Sequence, residues 1–176
     1  DQLDGGRYFL HEHPRWATSW QVACIEKIAA HPKVLTVQGD QCQYGAQTQS
    51  SDSVSEKGSP IMKPTGFMTN SEELAKALSR RCSGQAGQCS RPRGGIHRTC
   101  SGKHARLAQI YPPGLCRAAL RGVRDQLRAD NLLKDGCFGV QAPDDDAAIE
   151  RELRGPANGF SGKYTDDLTG QVLKDA

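Results

Sequence analysis

Residues 7–37 show a strand–helix–strand pattern, which constrains the fold more than any other feature of the sequence. Tyr8, Phe9 and Leu10 form an apolar run that is too short for a helix, and this predicts a buried strand. Residues 20–30 follow with the spacing of an amphipathic helix, and residues 34–37 predict a second strand. Short joins favour a parallel crossover unit, and a third strand predicted at residues 66–69 extends it to an α/β sheet.

Three segments have the spacing of amphipathic helices, each with one apolar face that we expect to be buried. The first covers residues 20–30, Asn70 or Ser71 caps the second, and Pro113 begins the third, which runs to about residue 129. The predicted apolar positions are Val22, Ile25 and Ile28 in the first helix, Leu74, Ala77 and Leu78 in the second, and Leu115, Ala119, Leu120, Val123 and Leu127 in the third.

Composition limits the size and class of the fold. The chain has 176 residues, of which 36% are hydrophobic, and this suits one ordinary domain with room for a tail. We expect residues 1–130 to form the domain and residues 131–176 to be a linker toward a missing downstream domain. No apolar run approaches the roughly 18 residues that a membrane span requires. Seven cysteines without a secretory leader predict reduced thiols and an intracellular protein, in the cytoplasm or the nucleus.

A candidate catalytic site follows the first predicted strand. His11, Glu12 and His13 come directly after it, and Pro14 then turns the chain. In an open α/β sheet, groups just past the carboxyl end of a strand face the ligand crevice, so a carboxylate between two imidazoles predicts chemistry there. The alternative is a strand end whose polar residues simply contact water.

Residues 82–103 are rich in Gly, Arg and Cys and have no hydrophobic period, so something other than a core must hold them. Cys/His clusters in such loops are often zinc sites, in which metal ligands replace hydrophobic burial. The preferred ligands are Cys82, Cys89 and His97, with Cys42 or Cys100 as the fourth. The alternative is a set of free thiols on a basic loop. Two further cysteines, Cys24 and Cys116, are predicted to be small core residues.

Positive charge is concentrated in residues 76–128, where Asp125 is the only acid. Such asymmetry is typical of a protein that binds DNA or RNA. The arginines at helical spacing, which we expect to track phosphates, are Arg117, Arg121, Arg124 and Arg128, and the loop adds Arg91 and Arg93. The alternative for the helix is an ordinary solvated face.

Several blocks resemble a known family. Glu12-His13-Pro14, with Ser19-Trp20 beyond, resembles the Glu-Asn motif of cytosine-5 DNA methyltransferases, with His in place of Asn. The blocks at residues 40–45, 63–71 and 111–116 are similar to a divergent methyltransferase-like group carried in Copia-type retrotransposon polyproteins. Residues 166–171 resemble the joint that leads into the reverse transcriptase. The resemblance implies a partial Rossmann-like parallel sheet of about three strands with flanking helices, and neighbouring polyprotein domains as partners.

The same resemblance implies a role for Glu12, which in the enzymes contacts the pyrimidine edge of a flipped base. It also implies S-adenosylmethionine as a cofactor, but only in the intact parent domain. This chain has no Pro-Cys nucleophile dipeptide and no Gly-rich methyl-donor loop before Glu12. We therefore expect the chain not to methylate by itself. The alternative is a non-catalytic, zinc-stabilised nucleic-acid-binding module of the polyprotein.

Overall fold

The computed structural model describes residues 2–48, 58–101, 105 and 108–133. All of them belong to one compact unit, Asp1–Cys137. The predictions for the acidic linker beyond residue 133 and for the block at residues 166–171 lie outside the described residues. No helix in the described part of the chain is long and apolar enough to span a membrane.

A three-stranded sheet forms the centre of the unit. Its strands are β1 (Leu10–Pro14), β2 (Leu35–Asp40) and β4 (Pro64–Thr69), in the order β1-β4-β2. Both ladders are antiparallel, so the predicted parallel sheet is wrong, although three strands and the mixed α/β class are present. The chain returns directly from β2 to β4, because Asp40 at the end of β2 pairs with Pro64 at the start of β4, and such an antiparallel return needs no crossover helix. The buried first strand predicted at residues 8–10 is also wrong: β1 begins only at Leu10, and Tyr8 and Leu10 are each 40% exposed, because β1 is an edge strand that is paired on one side only among the described residues.

One face of the sheet is covered by two helices, α2 (Glu72–Ala77) and α3 (Pro113–Ala129). The Ser71 hydroxyl caps α2, as predicted, by accepting a hydrogen bond from the Leu74 N–H at 3.2 Å. It also donates to Gln126 of α3 at 2.8 Å. The buried apolar cluster on this face consists of Tyr44, Phe67, Leu74, Leu78, Leu115 and Ala118.

The buried face of α3 agrees only in part with the prediction: Leu115 is in the core cluster and Ala119 packs against it, as predicted. Leu115, Ala118 and Gly122 are buried, whereas Leu120 is 70% exposed and Val123 is 42% exposed. A Cβ on Gly122 would lie only 2.8 Å from the Leu74 Cα, so small residues let α3 approach α2 closely. Close contact with the backbone of α2 therefore decides the rotation of α3, and Leu120 and Val123 remain outside the core.

The first helix, α1 (Ala23–Ala29), is shorter than predicted and has no buried residue. Val22 is 49% exposed and Ile28 is 36% exposed, so the predicted buried face is wrong for the described part of the chain. Cys24 and Cys116 are both exposed, which also corrects their assignment as core residues.

A second, two-stranded sheet connects the cysteine-containing loop to the body of the unit. Strands β3 (Ile61–Met62) and β5 (Arg98–Thr99) pair in parallel, with Ile61 opposite Arg98. Since β3 lies just before β4 in the chain, this pairing places the end of the loop beside the central sheet.

Candidate metal centre

Cys42 lies at the end of the central sheet and is 1% exposed. It belongs to a 3-10 turn, Gln41–Tyr44, that directly follows β2. Gly45 ends this turn in the left-handed region, with φ of 91°, a conformation that glycine adopts without steric cost. The turn therefore fixes the Cys42 thiol in the interior, beside the sheet.

Asp40 brings Cys82 to the same place. Its backbone N–H donates to the Arg80 carbonyl at 2.9 Å. Its carboxylate accepts from the Cys82 backbone N–H at 2.8 Å and from the Arg81 Nε at 2.9 Å. The residues just before the loop are thus held against the end of β2, two residues from Cys42.

A narrow, glycine-rich turn within residues 82–97 supplies the side chains of Cys89 and His97. The Cys89 N–H donates to the Gly95 carbonyl at 2.8 Å, and the His97 N–H donates to the Gly87 carbonyl at 2.8 Å. A Cβ on Gly84 would lie 1.9 Å from the Gln88 carbonyl oxygen, so this close approach requires glycine. The two hydrogen bonds flank an antiparallel bridge between Gln88 and Ile96 and hold Cys89 and His97 near each other, and β5 begins directly after His97.

Four potential metal ligands converge here, namely the Sγ atoms of three cysteines and a ring nitrogen of His97. All four atoms lie within 4.8 Å of one another in the set Cys42, Cys82, Cys89 and His97. The Cys82 Sγ lies 3.9 Å from the Cys89 Sγ and 3.5 Å from the His97 Nε2. A tetrahedral zinc site has sulfur–sulfur edges of about 3.8 Å and sulfur–nitrogen edges of about 3.6 Å. The two distances match these edges, so the cluster has the dimensions of a zinc site.

Neighbouring donors point at the sulfur atoms. The Gln43 Nε2 lies 3.6 Å from the Cys42 Sγ and 3.7 Å from the Cys89 Sγ. Ser90 reaches the Cys82 Sγ with its backbone N–H at 3.4 Å and its hydroxyl at 3.5 Å. Donors of this kind stabilise metal-bound thiolates and orient them.

The thiol pKa values follow from burial and from these donors. Burial raises the pKa of both Cys42 and Cys89. Burial also raises the pKa of Cys82, but the hydrogen bonds from Ser90 and Gly84 outweigh it and lower that pKa to about 6. Cys82 is thus the sulfur that ionises most readily before a metal binds.

The structure brings together the three preferred ligands and, of the two alternatives for the fourth, Cys42. Within the described ranges, Cys100 is not part of the cluster. Cys100 comes directly after β5. Because β5 pairs with β3, the chain has already left the cluster when it reaches Cys100. Sequence reasoning missed Asp40, Gln43 and Ser90, although the polar run around Cys42, directly after a strand, is a signal for the first two.

The predicted catalytic trio does not form one site. His11, Glu12 and His13 lie within β1 rather than after it, so their side chains alternate between the two faces of the sheet. The His11 ring packs edge-on against the Trp20 ring, with 5.1 Å between the ring centroids. It is stacked with the His13 ring, with 6.2 Å between the centroids. Glu12 lies on the helix-covered face, where it accepts a hydrogen bond from the Tyr111 hydroxyl.

Glu12 and His11 each retain one buried polar atom without a hydrogen-bond partner among the described residues, Oε1 and Nε2 respectively. Burial and the hydrogen bond to Glu12 raise the pKa of Tyr111 to about 12. The neutral phenol is therefore the form that holds Glu12.

The predicted nucleic-acid-binding arginines lie in two places. In α3, Arg117, Arg121 and Arg124 are half-buried and Arg128 is exposed. In the loop, Arg91 is half-buried and donates to the Gly94 carbonyl at 2.9 Å and to the Gly58 carbonyl at 2.6 Å. Arg93 is exposed. Arg91 thus has a structural role in the loop.

Comparisons with protein-family models, with curated proteins and with solved structures give no match for this chain.

Proposed function

We propose that this chain is a nucleic-acid-binding module whose basic loop is held by a structural zinc ion. The observation that carries the proposal is the convergence of Cys42, Cys82, Cys89 and His97 on one point. The ligands come from two separate parts of the chain, the end of β2 and the loop 82–97. A metal bound there cross-links them and replaces the hydrophobic core that the loop lacks.

The donor set favours a structural rather than a catalytic metal. Three thiolates and one imidazole fill a tetrahedral shell and leave no position for water or substrate. Cys42 and Cys89 are 1% and 6% exposed, which keeps solvent away from two of the four bonds. Soft sulfur ligands also select zinc over magnesium or calcium, which prefer oxygen.

The charge of the chain supports nucleic acid as the partner. Residues 76–128 include the whole loop 82–97 and α3 up to Arg128, and they carry a single acid. Arg93 is exposed on the loop that the metal would hold, and Arg128 is exposed on α3. Cationic side chains on rigid elements attract the phosphate backbone without regard to sequence.

Metal analysis and binding in the same preparation test the proposal. We expect one zinc ion per purified chain, and a DNA or RNA affinity that falls steeply with salt. The variant with Arg117, Arg121 and Arg124 changed to Ala should keep its zinc and show a shallower salt dependence. The Cys89→Ser variant should lose zinc, and Cys24→Ser, an exposed cysteine outside the cluster, is its matched control. Protein without zinc, or binding that is indifferent to salt, contradicts the proposal.

A second proposal comes from the resemblance: the chain is part of a methyltransferase-like domain of a retrotransposon polyprotein. The Oε1 of Glu12 supports it: this oxygen has no hydrogen-bond partner in the described part of the chain, and a carboxyl that contacts a base needs such an atom. Neighbouring coding sequence tests it. An upstream Gly-rich loop and a Pro-Cys segment in the same reading frame are expected, and an uninterrupted frame that encodes neither contradicts it.

A further inference from the structure

Cys82 and Cys89 are placed to react with each other. Resting on the proposed zinc centre, we propose that they are a peroxide-sensitive dithiol whose oxidation to a disulfide expels the metal. Their Sγ atoms are 3.9 Å apart, and a disulfide needs them at about 2.05 Å. The segment between them contains Ala86 and Gly87, both with positive φ, of 50° and 79°. A tight turn therefore already faces one cysteine toward the other.

Exposure selects Cys82 as the sulfur that meets the oxidant. Cys82 is half-buried, whereas Cys42 is 1% exposed and Cys89 is 6% exposed. A small hydroperoxide arriving from solvent reaches the Cys82 Sγ first. Cys89 then lies beside it as the resolving thiol, on the same short segment of chain.

The reaction with hydrogen peroxide balances in two steps. The Cys82 sulfur attacks one peroxide oxygen: an S–O bond forms, the O–O bond breaks, and the departing hydroxide takes a proton and leaves as water. The Cys89 sulfur then attacks the Cys82 sulfur: the S–S bond forms, the S–O bond breaks, and the second oxygen leaves as water. Peroxide gains two electrons, one from each sulfur. The protons come from the thiols, or from solvent where the metal held thiolates.

The disulfide removes two of the four metal ligands at once. Cys42 and His97 remain, and two ligands do not retain a structural zinc ion against solvent. The loop then loses the metal-mediated link to Cys42, while the ladder between β3 and β5 and the hydrogen bond between Asp40 and Cys82 remain. Oxidation should therefore release zinc without unfolding the central sheet.

The sequence provides a direct readout of which cysteines pair. Trypsin cleaves after Arg81 and after Arg93, whereas Pro92 blocks cleavage after Arg91. Cys82 and Cys89 are thus on one peptide, 82–93, and Cys42 is on another, 34–57. A bond between Cys82 and Cys89 makes peptide 82–93 lighter by two hydrogen atoms, whereas a bond to Cys42 joins the two peptides.

The experiment treats the zinc-loaded chain with hydrogen peroxide and follows released zinc with a colorimetric chelator. We expect one zinc ion released for each internal disulfide in peptide 82–93, and recovery of zinc binding after dithiothreitol and zinc are added. Cys24→Ser should behave as the wild type. Cys89→Ser should not form the internal disulfide, and the wild-type peptide map decides the question even if that variant fails to fold.

Two outcomes overturn the inference: a disulfide that joins Cys42 to either loop cysteine, or zinc release accompanied only by sulfinic or sulfonic acids. Zinc content before peroxide is added is measured separately. A chain that binds no zinc contradicts the proposed function, whereas the peptide map still reports whether Cys82 and Cys89 form the dithiol.

Discussion

The backbone N–H of Cys82 donates a hydrogen bond to the Asp40 carboxylate at 2.8 Å, so a buried acid at the end of β2 fixes the beginning of the cysteine-containing loop. Asp40 is 2% exposed and lies two residues before Cys42. One carboxylate thus sets the relative position of the two parts of the chain that supply metal ligands. This makes Asp40 a positioning residue for the proposed zinc site.

Replacing Asp40 should therefore weaken metal binding although Asp40 is not a ligand. The Asp40 Oδ1 has no hydrogen-bond partner in the described ranges, so Asp40→Asn can place its amide nitrogen there and keep the Oδ2 contacts. We expect a loss of zinc affinity of about 10-fold for Asp40→Asn and about 100-fold for Asp40→Ala, the range typical of groups that support metal ligands. Competition with a chelator measures the affinity.

The control for Asp40 is Asp125→Asn. Asp125 forms an ion pair with Arg124 at 2.9 Å on α3 and has no contact with the cluster. Its substitution should leave zinc affinity unchanged. Equal affinities for the wild type, Asp40→Asn and Asp40→Ala would contradict the positioning role.

Metal removal should loosen the loop and leave the sheet intact. The apolar cluster around Phe67, Leu74 and Leu115 includes no residue of the loop, so its packing does not depend on the metal. We expect a chelator to increase hydrogen exchange of the amides of Cys89 and His97 by at least an order of magnitude, because their protection depends on a small local structure. Amides of β4 should remain protected. Mass-spectrometric hydrogen exchange, with and without chelator, makes the comparison.

Restoring zinc provides the control for chelation. Protection of the loop should return when zinc is added in excess and should not return with magnesium, which prefers oxygen ligands. Loop exchange that is the same in the presence and absence of zinc would contradict a structural metal.

The rotation of α3 can be tested with two leucines on one helix. Leu115 is 4% exposed, whereas Leu120 is 70% exposed. Leu115→Ala should lower the free energy of unfolding by about 2–5 kcal/mol, the usual range for truncating a buried leucine. Leu120→Ala should change it by less than about 0.5 kcal/mol, as expected on a surface. Denaturant unfolding measures both, and the reverse order of the two effects would contradict the observed packing.

The same helix shows how far the sequence can be interpreted. Helical spacing predicted α3 and its start at Pro113, because periodicity and the first-turn proline are local signals. The spacing did not identify which of several apolar positions is buried, because α3 packs through Gly122 against the backbone of α2. That contact depends on a residue far along the chain, and small residues carry no hydrophobic signal.

For the sheet and for the metal cluster, too, the sequence predicted the local features but not the contacts between distant parts of the chain. The order of strand, helix and strand was correct, but β4 lies between β1 and β2 because it pairs with both, and residue periodicity contains no information on pairing. For the metal cluster, residue type and the lack of a core were enough to select Cys82, Cys89 and His97. The choice of Cys42 over Cys100 required the three-dimensional return of the loop to the end of β2.

Tyr111 should make the stability of the chain depend on pH in the alkaline range. Its pKa is raised from 10.0 to about 12, first by burial and then by its hydrogen bond to Glu12. In the unfolded chain the phenol ionises near its ordinary pKa, so its stabilising effect is complete below pH 10 and is lost as pH rises toward 12. We expect the wild type to lose stability over this interval more steeply than Tyr111→Phe.

Denaturant unfolding at pH 9 and at pH 11 measures this difference between the wild type and Tyr111→Phe. Glu12→Gln provides a matched control, because it removes the negative charge that opposes ionisation of the phenol, and it should reduce the pH dependence in part. An unchanged slope in Tyr111→Phe would mean that the Glu12 contact does not hold the phenol in its neutral form.

The two loop arginines should have separable effects on binding and on structure. Arg91 is half-buried and donates to the Gly58 carbonyl at 2.6 Å, whereas Arg93 is exposed. Arg93→Ala should lower the slope of log affinity against log salt by up to about 0.9, the contribution of one phosphate contact on duplex DNA. Its zinc content and loop protection should stay at wild-type values.

Arg91→Ala should instead act on the loop itself. It leaves the Gly58 and Gly94 carbonyls without their donor, so we expect faster hydrogen exchange at Cys89 and weaker zinc binding, with nucleic-acid affinity falling only as a consequence. Excess zinc should then restore the affinity of Arg91→Ala but not that of Arg93→Ala. Fluorescence anisotropy with a labelled oligonucleotide, at several salt concentrations and with and without added zinc, distinguishes the two. Equal rescue of both variants by zinc would contradict the division of roles between a structural arginine and a phosphate-binding one.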